Sequence, residues 1–367
     1  MVKVERLNVN PTVLLSYIQS SNTPFEILKR KIPNIEKFLS GEQLPTFNQL
    51  SELGKLINVP TGLLMLRNKI EMENIKLDFR TIDSQRINEM SSELRDTILE
   101  MQNKQEFLQE QLENDCDFVG SFNYSDDFSK VVEGIRNYLG YEINRNRFEN
   151  YREKMSKLGV FIFLNGKVKD NTSRSLDLKE FRGFVLTDKK APIIFINQKD
   201  TKSGRLFTLV HEFVHLFFGE SDLFDDNSIS SRNKVEAIVN KITGEILVPQ
   251  SLIIEKYDDT IELSKNIDVL HRYFEVSKFV IVRRLLDLRK ITKQQFEQLN
   301  SQIEKENENF LNSKATNGGN YKNNIKFRID KNFFNYVNNA VLQNRITYTD
   351  AFNIVGVGYK GYKILQE

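Results

Sequence analysis

Arg205-Leu206-Phe207-Thr208-Leu209-Val210-His211-Glu212-Phe213-Val214-His215-Leu216-Phe217-Phe218 is the stretch that sets the frame for the rest of the chain. Leu206, Leu209, Val210, Phe213, Val214 and Phe217 recur at i, +3, +4, +7, +8 and +11, the spacing of one buried helical face. Gly219 is a stop signal. Three short apolar runs come just before: Val160-Phe161-Ile162-Phe163-Leu164, Phe184-Val185-Leu186 and Ile193-Ile194-Phe195-Ile196. Asn165-Gly166 ends the first as a turn, and Asp188-Lys189-Lys190-Ala191 separates the other two as a loop. A small sheet leading into a buried helix, inside an otherwise helical pattern, predicts an α+β fold that is mostly helical.

His211 and His215 lie off the apolar stripe. Four residues apart, they project from one side of the helix, about one turn from each other. Catalytic zinc needs neutral imidazole or carboxylate ligands and one open position for water, and a His-Glu-x-x-His helix supplies two of those ligands. Glu212 beside them has the position of a general base that takes a proton from water and later gives it to a leaving amine. Only three histidines occur in the chain, so two of them framing this motif is a specific signal. The bland alternative is a pair of histidines at the edge of a buried helix.

A third ligand is required. The extended motif with a glycine three residues and a histidine six residues after the second histidine is absent, because Phe218 and Ser221 stand there. Candidates are Glu220, Asp222, Asp225, Asp226, Glu236 and His271. The acidic residues 220–226 have the look of a solvated loop, and His271 that of an ordinary helix residue. Asn233–Leu247 is a second amphipathic helix, ended before Pro249, with Val235, Val239, Ile242 and Ile246 as its stripe. Glu236 lies off that stripe and suits a gluzincin-like site of two histidines and one glutamate.

The chain has 367 residues, enough for two or three domains. Residues 1–82 show short helices separated by tight turns, a helix-turn-helix-like domain. Val13, Leu14, Tyr17 and Ile18 have helical spacing, Thr23-Pro24 caps a second helix, and Pro45-Thr46 opens another with Leu50, Leu53, Leu56 and Ile57 on one face. Residues 83–310 form the metallopeptidase-like core with its flanking helices. Residues 311–324, which include Asn317-Gly318-Gly319-Asn320, are expected to be a linker, and 325–367 a small separate helical domain. There Phe333, Val337, Val341 and Leu342 at helical spacing predict a small core. Lys326, Arg328, Lys331, Arg345, Lys360 and Lys363 lie among Phe334, Tyr336, Tyr348, Phe352 and Tyr359, a mixture also found on single-strand nucleic-acid surfaces.

Hydrophobic residues are 40% and charged residues 28%, ordinary for a globular chain. The net charge of +2 excludes nucleic-acid binding driven by overall charge, so any such role needs a local patch. Cys116 is the only cysteine, which excludes an internal disulfide and a Cys-based metal site and fits a reducing cytoplasm. Met1 to Asn10 holds no apolar run of signal-peptide length, and no stretch approaches the roughly 18 apolar residues of a membrane helix. The expectation is a cytoplasmic protein with no membrane partner.

Phe181-Arg182-Gly183-Phe184, Ile193-Ile194-Phe195-Ile196-Asn197 and Leu206 to Leu216, together with Glu236-Ala237-Ile238-Val239-Asn240 and Gly244-Glu245-Ile246-Leu247-Val248-Pro249, resemble the ImmA/IrrE-type metallopeptidases in their long form. Val276-Ser277 to Arg284-Leu285 is similar to the helical segment after the protease core, and Asp78-Phe79-Arg80-Thr81 and Tyr348 to Phe352 to other parts of the long form. Phe38-Leu39-Ser40-Gly41-Glu42 to Leu56-Ile57-Asn58-Val59-Pro60 resembles the end of an XRE-type helix-turn-helix. The resemblance implies zinc as cofactor and carries the third-ligand role onto Glu236. It implies a regulatory endopeptidase that cleaves a protein partner, a helix-turn-helix repressor, and so releases a stress, phage or mobile-element programme.

Residues 1–70 carry nine basic and five acidic residues, with Lys29-Arg30-Lys31 the only dense basic cluster. Lys29, Arg30, Lys31 and Lys37 are the candidate DNA contacts. The recognition-helix position between Pro33 and Gly41 offers Asn34, Glu36, Lys37 and Ser40 and no Arg or Gln fork, while Glu36 and Glu42 repel phosphate. Docking onto protein is the equal alternative for this domain. For the whole chain the alternative is a non-enzymatic antitoxin-like binder of an operon-encoded partner, or a DNA-binding regulator with the metal site as a sensor.

Overall fold

The computed structural model describes residues 6–21, 23, 25–57, 59, 61–66, 68, 90–140, 147–219, 229–313 and 320–367. It is mostly helical with one three-stranded sheet. The chain divides into two compact units, and the boundary falls inside a helix, between Asp96 and Thr97.

The N-terminal unit contains α1 (Pro11–Ser20), α2 (Phe25–Lys31), α3 (Ile35–Ser40), α4 (Phe47–Ile57) and α5 (Thr61–Leu64). Leu14, Leu28, Ile35, Phe38, Leu50, Leu53 and Leu64 make its core. Asn10 caps α1 by accepting from the Thr12 amide, with Pro11 in the first turn. Gly41 stops α3 with φ +76°, a left-handed position that favours glycine. Thr46 and Gln49 exchange hydrogen bonds at the start of α4, a capping box. Leu50, Leu53 and Ile57 are buried as expected and Leu56 is half-buried. Thr23, expected as the cap of α2, donates to the Leu56 carbonyl at 3.2 Å. Pro24 and the segment Asp78–Thr81 lie outside the described residues.

The second unit is built on β1 (Phe161–Asn165), β2 (Gly183–Leu186) and β3 (Ile193–Asn197) in the order β1-β3-β2. β1 runs parallel to β3 with Phe163 opposite Phe195, and β2 runs antiparallel with Phe184 opposite Phe195. Asp188 makes the β2–β3 turn by accepting from the amides of Lys190 and Ala191. Around the sheet lie α6 (Ser92–Gln111), α7 (Phe128–Leu139), α8 (Phe148–Lys157), α9 (Lys202–Phe218), α10 (Ile229–Leu247), α11 (Gln250–Lys256), α12 (Leu263–Phe274), α13 (Lys278–Asp287) and α14 (Lys293–Ser313). They are followed by α15 (Tyr321–Arg328), α16 (Lys331–Leu342), α17 (Tyr348–Val355) and α18 (Tyr359–Gln366).

Every residue of β1 and β3 is buried, so the sheet is apolar on both faces. Ile162, Leu164, Val185, Ile194 and Ile196 share one core with Leu206, Leu209, Val210, Phe213 and Phe217 of α9. On the opposite face Phe163 meets Phe333 of α16 edge-on at 5.1 Å, and Phe161 meets Tyr336 at 6.3 Å.

That second face explains a correction. Residues 325–367, expected as a separate small domain, belong to the same compact unit as the sheet. Asp330 accepts from the Ile162 amide of β1, and Arg152 of α8 donates to the carbonyls of Phe327, Ile162 and Ile329. The expected linker 311–324 is helical at both ends, since α14 runs to Ser313 and α15 starts at Tyr321. Residues 314–319 lie outside the described residues. Phe333, Val337 and Val341 are buried as expected, whereas Leu342 is 66% exposed at the end of α16.

No single helix among the described residues is long and apolar enough to cross a membrane; the pair α10–α11, bent by 54°, has the length only jointly, and it buries Val239, Ile242, Ile246 and Ile253 in the core.

Candidate metal centre

α9 starts where Thr201 accepts from the Gly204 amide and ends where the Gly219 amide bonds back to His215 and Leu216. The carbonyls of Leu216 and Phe217 are taken up by the amides of Gly120 and Phe122. Leu206, Leu209, Val210, Phe213, Val214 and Phe217 are buried, and so are Thr208, Glu212, Leu216 and Phe218. The helix is thus enclosed almost all round, with the two imidazoles on its partly open side. α10 buries Val235, Val239, Ile242 and Ile246 and leaves Glu236 toward solvent.

The two helices bring three side chains together. His211 Nε2 and His215 Nε2 are 3.2 Å apart. The Glu236 carboxylate lies 3.2 Å from the first and 3.3 Å from the second. Among the described residues these three are the group of His, Cys, Asp and Glu able to hold a metal ion. Two imidazole nitrogens facing each other beside a carboxylate need a shared positive charge, a proton or a metal. A tetrahedral zinc with bonds of about 2.0–2.1 Å separates its ligand atoms by about 3.3 Å; the two ring nitrogens have that spacing, and Glu236 reaches His211 through Oε2 and His215 through Oε1. Three protein ligands would leave a fourth position for water, and the Glu236 side chain is half exposed. The Asn240 side chain, one turn after Glu236, reaches the His211 ring.

The electrostatics of the metal-free cluster follow from burial and pairing. Burial alone would lower the His211 imidazole, but its hydrogen bond to Glu236 and the nearby charges of Glu212 and Glu236 outweigh it and the net shift is upward. Burial would raise Glu236, yet the hydrogen bonds from His211 and His215 hold it far below the usual carboxylate range. Burial pushes Glu212 up, against the pull of the two histidines. A carboxyl raised in this way is suited to holding a proton between two steps of a reaction.

Two further residues complete the site. A side chain at Gly183, the first residue of β2, would meet Thr208 Cγ2 at 2.4 Å and the Phe195 carbonyl at 2.8 Å, with Glu212 Oε1 at 3.6 Å. Only glycine lets β2 approach α9 this closely. Glycine at the start of an apolar run was the available signal for a close backbone approach, and the spacing of four from Glu236 was the signal for Asn240.

The other candidates fall elsewhere. His271 makes a short hydrogen bond from Nδ1 to the Val276 carbonyl and is outside the cluster. Glu220, Asp222, Asp225 and Asp226 lie outside the described residues. Cys116 is half-buried, its thiol pushed up to about 11 by burial with Asp117 and Asp115 adding. Lys29, Arg30, Lys31 and Lys37 are exposed. Lys29 is paired with Glu36 at 2.8 Å, and the first three sit in the last turn of α2, where cations offset the helix dipole.

No curated protein matches the chain. Residues 155–286, which hold the sheet, α9, α10 and the three converging side chains, match the Peptidase M78 family, described as the IrrE N-terminal-like domain. Over that segment the chain is similar to ImmA/IrrE-type peptidases.

Proposed function

We propose that the chain is a zinc-dependent endopeptidase of gluzincin type that cleaves one regulatory protein partner. The observation that carries this is the convergence of His211 Nε2, His215 Nε2 and the Glu236 carboxylate within reach of one metal ion, with Glu212 buried beside them. A purely structural zinc would take a fourth protein ligand and have no use for Glu212.

In this reading His211, His215 and Glu236 hold the metal, and Asn240 orients the His211 ring. Zinc at that position supplies Lewis-acid polarisation of the scissile carbonyl and makes water acidic enough to react near neutral pH. Glu212 accepts the proton of the attacking water and delivers it to the departing amine nitrogen. Its burial keeps the carboxyl basic enough for the first transfer. β2 lies at the edge of the sheet, and its start at Gly183 is beside Glu212. An extended peptide pairing with that edge would run its backbone past the general base.

The resemblance makes a helix-turn-helix repressor the substrate class and its removal the regulatory act. The test is incubation of the purified protein with any helix-turn-helix repressor encoded by a neighbouring gene. Cleavage should stop on chelation and return with added zinc. Cleavage that is indifferent to chelation, or an intact repressor with zinc-loaded protein, would remove the proposal.

A further inference from the structure

The C-terminal helices carry a second surface that the peptidase chemistry does not use. Residues 320–367 contain seven basic and three acidic residues. The three acids are engaged internally. Asp330 is buried and caps α16 through the amides of Asn332 and Phe333. Asp350 closes a capping box with Thr347. Glu367 pairs with Lys322, and Lys326 and Lys363 also surround it. The neighbouring carboxylate of Asp170 is bonded to Lys167, Arg328 and Tyr321. The outward charge of α15 and α18 is therefore basic.

Aromatic rings run beside it. Tyr348 lies 6.2 Å from Phe352, and Phe352 lies 6.3 Å from Tyr359. The ends of this row are open, Tyr348 at 53% exposure and Tyr359 at 70%, while Phe352 is half-buried and anchored on the buried Tyr362 at 5.2 Å. Lys363 is one turn after Tyr359 on α18, and Lys360 stands over the Tyr321 ring at 5.8 Å. Open rings on a fixed base, edged by lysines, are what successive unstacked bases and their phosphates require. A duplex offers no ring faces to such a row.

We propose that the face formed by Tyr348 and Tyr359, with Lys326, Lys360 and Lys363 beside them, binds single-stranded nucleic acid. Binding is independent of the metal centre. The two tyrosines stack on bases and the lysines contact phosphates, so affinity depends on salt and little on sequence.

The test is fluorescence anisotropy of the full chain with labelled oligothymidylate and oligouridylate of about twelve nucleotides, a duplex of equal length, and dextran sulfate as a plain polyanion, across potassium chloride concentration. The proposal expects both single strands to bind more tightly than the duplex. Tyr359→Ala should weaken binding roughly five- to hundred-fold, with Tyr359→Phe restoring most of it. The pair Lys360→Gln and Lys363→Gln should lower the slope of log affinity against log salt by about 1.4. Glu212→Gln should bind like wild type.

Three results would overturn the proposal. One is equal affinity for dextran sulfate and the single strands. Another is binding unchanged in both Tyr359→Ala and Tyr348→Ala. The third is binding lost instead when Lys29, Arg30, Lys31 and Lys37 are replaced, which would place the nucleic acid on the N-terminal unit.

Discussion

The two faces of the β1-β3-β2 sheet are equally apolar, but the polar groups buried beyond them are treated in opposite ways. On the α9 side, His211 and His215 turn their Nε2 atoms toward each other and toward Glu236, and Glu212 is a buried carboxylate. On the α16 side, Lys104 of α6 is 1% exposed yet donates to Glu100 Oε1 and to the carbonyls of Ile354 and Val355. It also lies against the rings of Phe163 and Phe333. Asp330 and Arg152 there are bonded to backbone in the same way. Buried polar groups are normally bonded to the chain, whereas ring nitrogens gathered beside a carboxylate have the donor set of a metal site. The α16 face ties its buried charges mainly to the chain itself, and the α9 face gathers the three side chains able to hold a metal ion.

The largest effect that would sharpen this contrast is on metal content. Wild-type protein should carry about one zinc per chain, and His215→Ala close to none, by elemental analysis after gel filtration. Equal zinc in the two would break the contrast at its root. Lys104→Ala should act in the opposite manner. It should destabilise the fold by about 3–5 kcal/mol in urea titration, because Glu100 is left buried and unpaired, and leave zinc stoichiometry unchanged.

A smaller effect is expected with pH. The His211 imidazole is raised in the metal-free protein, so its pairing contributes stability below about pH 6.5 that is lost as pH rises through the folded-state value. Zinc needs neutral imidazole, and its stabilisation grows in the same direction. The Tm difference between zinc-loaded and zinc-free protein should therefore widen from about pH 6 to about pH 8. A constant difference would contradict the ligand role of His211.

The smallest effect belongs to the far face. Burial would raise Asp170, but hydrogen bonds from Lys167, Arg328 and Tyr321 outweigh it and the net shift is downward. Its contribution is present above about pH 4 and is lost as pH falls further. Asp170→Asn should remove under about 1 kcal/mol of stability at neutral pH and flatten the acid limb of the stability curve.

Much of the α9 side was legible in the sequence, because it depends on spacing along single elements. Six apolar positions of α9 and four of α10 give the buried stripes, and the residues off those stripes are the ones that meet. Three apolar runs give the three strands. The far side was misjudged. Helical periodicity in 325–367 showed that Phe333, Val337 and Val341 are buried but not against what. Five consecutive apolar residues at Val160–Leu164 did hold the answer, since a strand apolar on both faces needs two covers. Leu342 fits the stripe by number but falls where α16 ends. The contacts of Gly183 and Asn240 with α9 form only once β2 and α10 lie against it, so sequence signals within one element mark these residues without showing what they touch.

The most direct measurement is repressor cleavage by Glu212→Gln against wild type, both loaded with zinc and assayed for metal in the same preparations. The account predicts equal zinc content and a loss of cleavage of roughly 10²–10⁴-fold or more. Undiminished cleavage by the zinc-loaded variant would contradict it.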